Sequence, residues 1–129
     1  MNTIRGFRDF VNDRGENVIL DWLNGLSNKK AKVRINTVIS RLELMDNLEL
    51  PHARMLRGSC DGLIELRIPC DGVQYRPLCC YGPGPNDVTL LIGAIEKGSK
   101  FEPKSACAIA LERKRSVALA GSTTDHDFS

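Results

Sequence analysis

Apolar and polar residues alternate in short runs across residues 63–95, and two turn signals break the runs: Asp71-Gly72 and the Gly-Pro-Gly-Pro-Asn stretch at residues 82–86. Runs of this length between such turns predict strands joined as an antiparallel meander. In the first run Ile64, Leu66 and Ile68 share a face and Glu65 and Arg67 take the other. In the second, Val73, Tyr75, Pro77 and Cys79 oppose Gln74 and Arg76. The period of two makes a one-residue slip costly, because it would turn Arg76 toward the core. The pattern therefore predicts a register with Ile68 opposite Val73, Leu66 opposite Tyr75 and Glu65 opposite Arg76. Arg67 and Arg76 then become diagonal neighbours beside Glu65. Either Glu65 neutralises them in a surface ion pair, or the two guanidinium groups await a phosphate. The last run, residues 88–95, is almost wholly apolar and reads as a central strand covered on both faces.

Upstream the period changes to that of helices. Val18, Ile19, Trp22, Leu23 and Leu26 form one stripe, with Asp13 expected as its N-cap and Glu16 in the capping-box position. Ile35, Val38, Ile39, Leu42 and Met45 form a second, with Lys30, Arg34 and Arg41 largely off it. Gly25 and Ser27-Asn28 separate them, so an antiparallel helical hairpin should pack on the sheet. Trp22 is expected in the core. Residues 1–10 read as an edge strand or an extended arm, and residues 48–60, broken by Pro51, as irregular. Residues 96–103 read as a loop leading into a helix that Gly121 ends. The fold class is α+β: an N-terminal helical hairpin on a small antiparallel β-sheet, with a C-terminal helix. Residues 1–121 form one domain, and residues 122–129 a frayed polar tail.

Composition adds limits. A chain of 129 residues holds one modest core, and a net charge of +2 requires any basic footprint to come from local clustering. The five cysteines include no Cys-x-x-Cys pair, and the two histidines lie in unrelated segments. No zinc or other metal site is expected, and the cysteines read as reduced, small apolar residues. No run is long enough to span a membrane and no leader precedes the first helix, so a cytoplasmic protein without membrane association is expected.

No Gly-rich phosphate loop, Ser/His/Asp order or carboxylate pair stands out. His52 reads as a solvated loop histidine more readily than as a general base. What remains is cations: Arg57, Arg67 and Arg76, then a basic loop with Lys97, Lys100 and Lys104, extended by Arg113-Lys114-Arg115. Such a run is commonly only a solvated surface. Cations can nevertheless promote RNA cleavage, because the ribose 2′-hydroxyl is an internal nucleophile and the protein need only align it and stabilise charge. No cofactor is needed.

The ordered set Leu56-Arg57-Gly58, Gly62-Leu63-Ile64-Glu65-Leu66-Arg67, Tyr75-Arg76, Leu90-Leu91-Ile92-Gly93, and Lys97 with Lys100 and Pro103 resembles the RelE/ParE superfamily of toxins, most closely its HigB-like, phage-derived branch. The resemblance implies a RelE-like fold and a toxin of a type II toxin-antitoxin system: a metal-independent endoribonuclease cutting mRNA, on or off the ribosome. Arg67, Arg76 and Lys97 would be catalytic, and Arg57 and Lys100 would hold RNA. A cognate antitoxin, a helix-turn-helix protein encoded nearby, would be its partner. The chain departs from the pattern after the last strand, where Glu96 stands beside Lys97 and Ala94 replaces an aromatic. Two alternatives are a ParE-like gyrase inhibitor and a non-catalytic phage-derived binding module of the same fold.

Overall fold

Three helices and ten short strands follow from these patterns in the computed structural model, which describes residues 3–129. In chain order they are β1 (Gly6–Phe10), α1 (Val18–Gly25), α2 (Lys29–Leu42), β2 (Ala53–Met55), a 3-10 turn (Gly58–Cys60), β3 (Ile64–Leu66), β4 (Ile68–Cys70), β5 (Val73–Tyr75), β6 (Leu78–Tyr81), β7 (Asp87–Ile92), β8 (Ile95–Lys97), β9 (Lys100–Glu102), α3 (Ala106–Ala120) and β10 (Thr123–Asp125). The α+β class and the helix–helix–sheet–helix layout are as expected.

The strands form a six-stranded sheet, β10-β1-β7-β6-β3-β2, and a four-stranded sheet, β4-β5-β8-β9. All pairings are antiparallel except β1 with β7. The two sheets are halves of one bent surface. The chain leaves the first and enters the second at Arg67, returns through Arg76-Pro77, and leaves again at Gly93-Ala94. Backbone bonds bridge that seam: Leu66 N–H to the Pro77 carbonyl at 2.9 Å, Arg67 N–H to that of His52 at 2.8 Å, and Arg76 N–H to that of Ala94 at 2.7 Å.

Alternation along the strands assigns two cores. Ile64, Leu66, Cys79 and Leu90 meet Ile19, Leu23, Ile35, Ile39 and Leu42 of α1 and α2. Leu63, Leu78, Cys80 and Leu91 meet Ala106, Ala110 and Val117 of α3. Strand β7 is therefore central and covered on both faces, as its unbroken apolar run predicts. Trp22 is partly buried and packs against the first core. Its indole occupies the space that a side chain at residue 93 would need, which explains why that position is glycine.

Several expectations are corrected. The hairpin pairs Cys70 with Val73 and Ile68 with Tyr75, not Ile68 with Val73. Asp71 and Gly72 both have positive φ, 50° and 80°, and close a two-residue turn. Asn17, not Asp13, caps α1, accepting from the N–H groups of Ile19 and Leu20. Residues 53–55 are a strand rather than an irregular segment. Residues 95–102 are a β-hairpin rather than a loop. Residues 122–129 are not frayed, because β10 pairs with β1 and makes β1 an interior strand. Cys60 and Cys107 form a disulfide with their Cα atoms 5.3 Å apart, so these two are not reduced thiols, whereas Cys70, Cys79 and Cys80 are free and buried. No helix among the described residues is long and apolar enough to cross a membrane.

Candidate nucleic-acid interface

The face of the bent sheet that carries α3 is apolar only where the helix covers it. Beyond Leu56 and Leu78, alternation puts polar residues on the same face: Arg54 of β2, Glu65 beside it, and Arg67, Arg76, Gln74 and Glu96 across the seam. The pairings Glu65 with Leu78 and Ile68 with Tyr75 fit one unbroken register. In that register Arg67 stands directly opposite Arg76, two residues away from the expected pairing. A two-residue slip preserves which face each side chain takes, so the two arginines do share a face.

They converge on Glu65, which is only 1% exposed. Its Oε1 lies 2.5 Å from Nη1 of Arg67, 3.7 Å from Nε of Arg54 and 3.9 Å from Nε of Arg76. This is not the surface ion pair that one reading of the sequence anticipates. Burial removes water from the carboxylate, and three guanidinium groups replace it. Arg76 is itself 4% exposed. Its Nε donates to Oε1 of Glu96 at 2.9 Å, Nη2 to Oε1 of Gln74 at 3.0 Å and Nη1 to the Tyr75 carbonyl at 3.2 Å. Arg76 is thus a structural clamp. Arg67 and Arg54 are the more exposed, with side-chain exposures of 27% and 52%, and present donors outward. A cleft of about 380 Å³ opens beside Arg67, lined by Leu50, Pro51, Arg67, Pro69, Gln74 and Arg76, while Arg54 lines a neighbouring hollow with Leu50 and Ala53. With three guanidinium groups against two carboxylates, the cluster keeps one net positive charge.

The other anticipated cations lie elsewhere. Strand alternation puts Lys97 on the opposite face from Glu96, where Nζ pairs with Oε2 of Glu102 at 2.9 Å and the side chain stays 69% exposed. Lys100 is its cross-strand neighbour in the β8–β9 hairpin. Arg57 is exposed at the start of the 3-10 turn and has no ion-pair partner among the described residues. The basic run on α3 is divided. Arg113 donates to the Leu91 carbonyl at 2.8 Å and lies over the Phe10 ring, and burial pushes its pKa down. Lys114 donates to the Gly62 carbonyl. The sequence therefore brings Arg67 and Arg76 together, but not Lys97, Lys100 or Arg57.

Arg54 is the residue that sequence reasoning missed. No periodic signal in residues 48–60 marks it: only the pairing of Ala53 with Leu66 in the structure sets Arg54 opposite Glu65. Among the described residues, no group of three or more His, Cys, Asp or Glu side chains is placed to hold a metal ion.

No curated protein and no solved structure matches this chain. The family model described as "Phage derived protein Gp49-like (DUF891)" matches residues 21–115, the span from within α1 to the middle of α3 that contains the whole arginine cluster, and the chain belongs to that family.

Proposed function

We propose that this protein is the toxin of a type II toxin-antitoxin system, of RelE/ParE type and nearest the HigB-like branch, and that it cleaves mRNA without a metal. Membership of a phage-derived, toxin-like family supports the class. The observation that carries the chemistry is the convergence of Arg54, Arg67 and Arg76 on buried Glu65 at the edge of an open cleft. Guanidinium groups held in place by a buried carboxylate match phosphate oxygens without needing to reorganise.

In this reading a phosphodiester docks on the outward donors of Arg67 and Arg54. The adjoining 2′-hydroxyl attacks phosphorus in line, the P–O5′ bond breaks, and the products are a 2′,3′-cyclic phosphate and a free 5′-hydroxyl. Arg67 stabilises charge on the non-bridging oxygens. Arg76 keeps Glu65 and Glu96 in position rather than touching RNA. Lys97, on the opposite face and paired with Glu102, takes no part in proton transfer, and Arg57, Lys97 and Lys100 contribute only long-range attraction for the RNA backbone. The partner is an antitoxin, a small helix-turn-helix protein encoded nearby, and the site of action is cytoplasmic mRNA.

A second reading, a non-catalytic binding module of the same fold, is favoured by two observations: Arg76 spends three of its N–H donors on protein acceptors, and Lys97 lies on the opposite face from the cluster. Incubation with mRNA, with and without ribosomes, beside a gyrase supercoiling assay separates the possibilities. Cleavage supports the toxin nuclease. Inhibited supercoiling without cleavage supports a ParE-like toxin, and neither effect supports the binding module. Growth arrest on expression alone, relieved by the adjacent gene, tests the antitoxin.

A further inference from the structure

Two carboxylates stand on the arginine face, and they are not equivalent. Glu65 is enclosed by three guanidinium groups and cannot meet a substrate. Glu96 has a side chain 30% exposed and touches one guanidinium, Nε of Arg76, through Oε1 at 2.9 Å. Among the described residues its Oε2 has no hydrogen-bond partner. It pairs across strands β5 and β8 with Gln74, so both side chains rise from the same face, and Gln74, Arg76 and Arg67 line the cleft.

The support under Glu96 is rigid. Arg76 is buried and held from behind by the Tyr75 carbonyl and the Gln74 side chain. Its guanidinium therefore fixes the Glu96 carboxylate through Oε1, and Oε2 has no hydrogen-bond partner among the described residues. Carboxylates are ionised at neutral pH and serve as proton acceptors when they lie within reach of a hydroxyl.

We infer that Glu96 is the general base of the cleavage reaction proposed above, on which this assignment rests. Oε2 of Glu96 takes the proton of the 2′-hydroxyl as the O2′–P bond forms. The P–O5′ bond breaks, and the departing 5′-oxygen takes a proton from solvent water. Glu96 then returns its proton to solvent, so no net oxidation or proton change remains. Glu96 is a catalytic residue in this scheme, while Arg76 positions it.

The test is single-turnover cleavage of an RNA oligonucleotide across pH 4 to 8 by the wild-type protein, E96Q and E96D, with binding of an uncleavable 2′-O-methyl analogue measured alongside. General acid–base groups typically contribute on the order of 100-fold or more. The E96Q protein should lose about that factor in rate, lose the rise of rate with pH at the acidic end, and bind the analogue within about twofold of wild type. E96D should retain folding and recover part of the rate with its acidic limb. If E96Q cleaves within a few-fold of wild type with the same pH profile, or loses binding by the same factor as rate, Glu96 is not the base although the nuclease reading stands. If the wild-type protein cleaves no RNA, both fail together.

Discussion

Arg67 and Arg76 look alike in the sequence, and the structure gives them different work. Arg76 is buried and makes hydrogen bonds to Glu96, Gln74 and the Tyr75 carbonyl, whereas Arg67 leaves donors facing the cleft. Replacing Arg76 by alanine takes a neighbouring cation from buried Glu65 and the hydrogen-bonded partner from partly exposed Glu96. Breaking such a buried pair costs about 3–5 kcal/mol. Arg76→Ala should lose stability on that scale in urea unfolding, so its loss of activity would not isolate a catalytic effect. Arg67→Ala removes the one hydrogen bond donated to buried Glu65 and leaves Arg54 and Arg76 at 3.7 and 3.9 Å, so it should lose stability as well; at temperatures where it stays folded it should lose about 100-fold in cleavage rate, the usual scale for one charge-stabilising donor. A stable, inactive Arg76→Ala beside an active Arg67→Ala would reverse these roles. The shared face of the two arginines was readable from alternation alone. Their burial was not, because it depends on Arg54 and on the bend at the seam, which no local pattern announces.

At the level of elements, long stripes predicted well and short backbone-paired pieces did not. The apolar faces of α1, α2 and β7 are written in side chains. The β8–β9 hairpin and β10 are held by main-chain bonds that any polar residue can make, so residues 96–103 and 122–129 gave no periodic signal. The C-terminal segment has an anchor that sequence spacing could not reveal. Buried His126 bonds through Nδ1 to Oδ1 of Asp9 at 2.6 Å and through Nε2 to Oδ1 of Asn36 at 2.8 Å, with Asp9 lying 117 residues away in sequence. Asp9 is fully buried and also accepts from Asn17 and from the Asp127 N–H. His126→Ala strips this carboxylate of its nearest partner and should cost about 3 kcal/mol. Amide exchange in β1 should accelerate in that variant, since β10 covers its outer edge. Unchanged stability and unchanged β1 protection would mean that the C-terminal strand does not depend on this anchor.

At the scale of the whole molecule, the two sheets lie between helical layers and leave the polar half of the α3 face as the candidate site. The cysteines divide along the same architecture. Cys60 and Cys107 tie the 3-10 turn to α3 across 47 residues of sequence, while Cys79 and Cys80 sit back to back in β6, one in each core. Their pairing was illegible because five cysteines without a motif fix no connectivity. Burial pushes the Cys80 thiol from its ordinary value of 9.0 up to about 11, and raises that of Cys79 as well. A thiol whose folded pKa is raised favours the protonated chain. Its contribution to stability is full below the ordinary value and is lost as pH climbs from there toward the folded value. Stability should therefore fall between pH 9 and 11, and thiol reagents at pH 8 should label Cys79 and Cys80 only after unfolding. Rapid labelling of both in the native protein would contradict this packing.

The central claim is that arginines held by a buried glutamate promote attack by a ribose hydroxyl. Its most direct test is cleavage, in excess chelator, of an RNA oligonucleotide and of the same strand carrying one 2′-deoxy sugar at the scissile position. The account predicts that the all-ribose strand is cut to a 2′,3′-cyclic phosphate and a 5′-hydroxyl while the deoxy-substituted bond stays intact. Cutting at the deoxy position, cutting that stops when metal is removed, or no cutting of the all-ribose strand would contradict it.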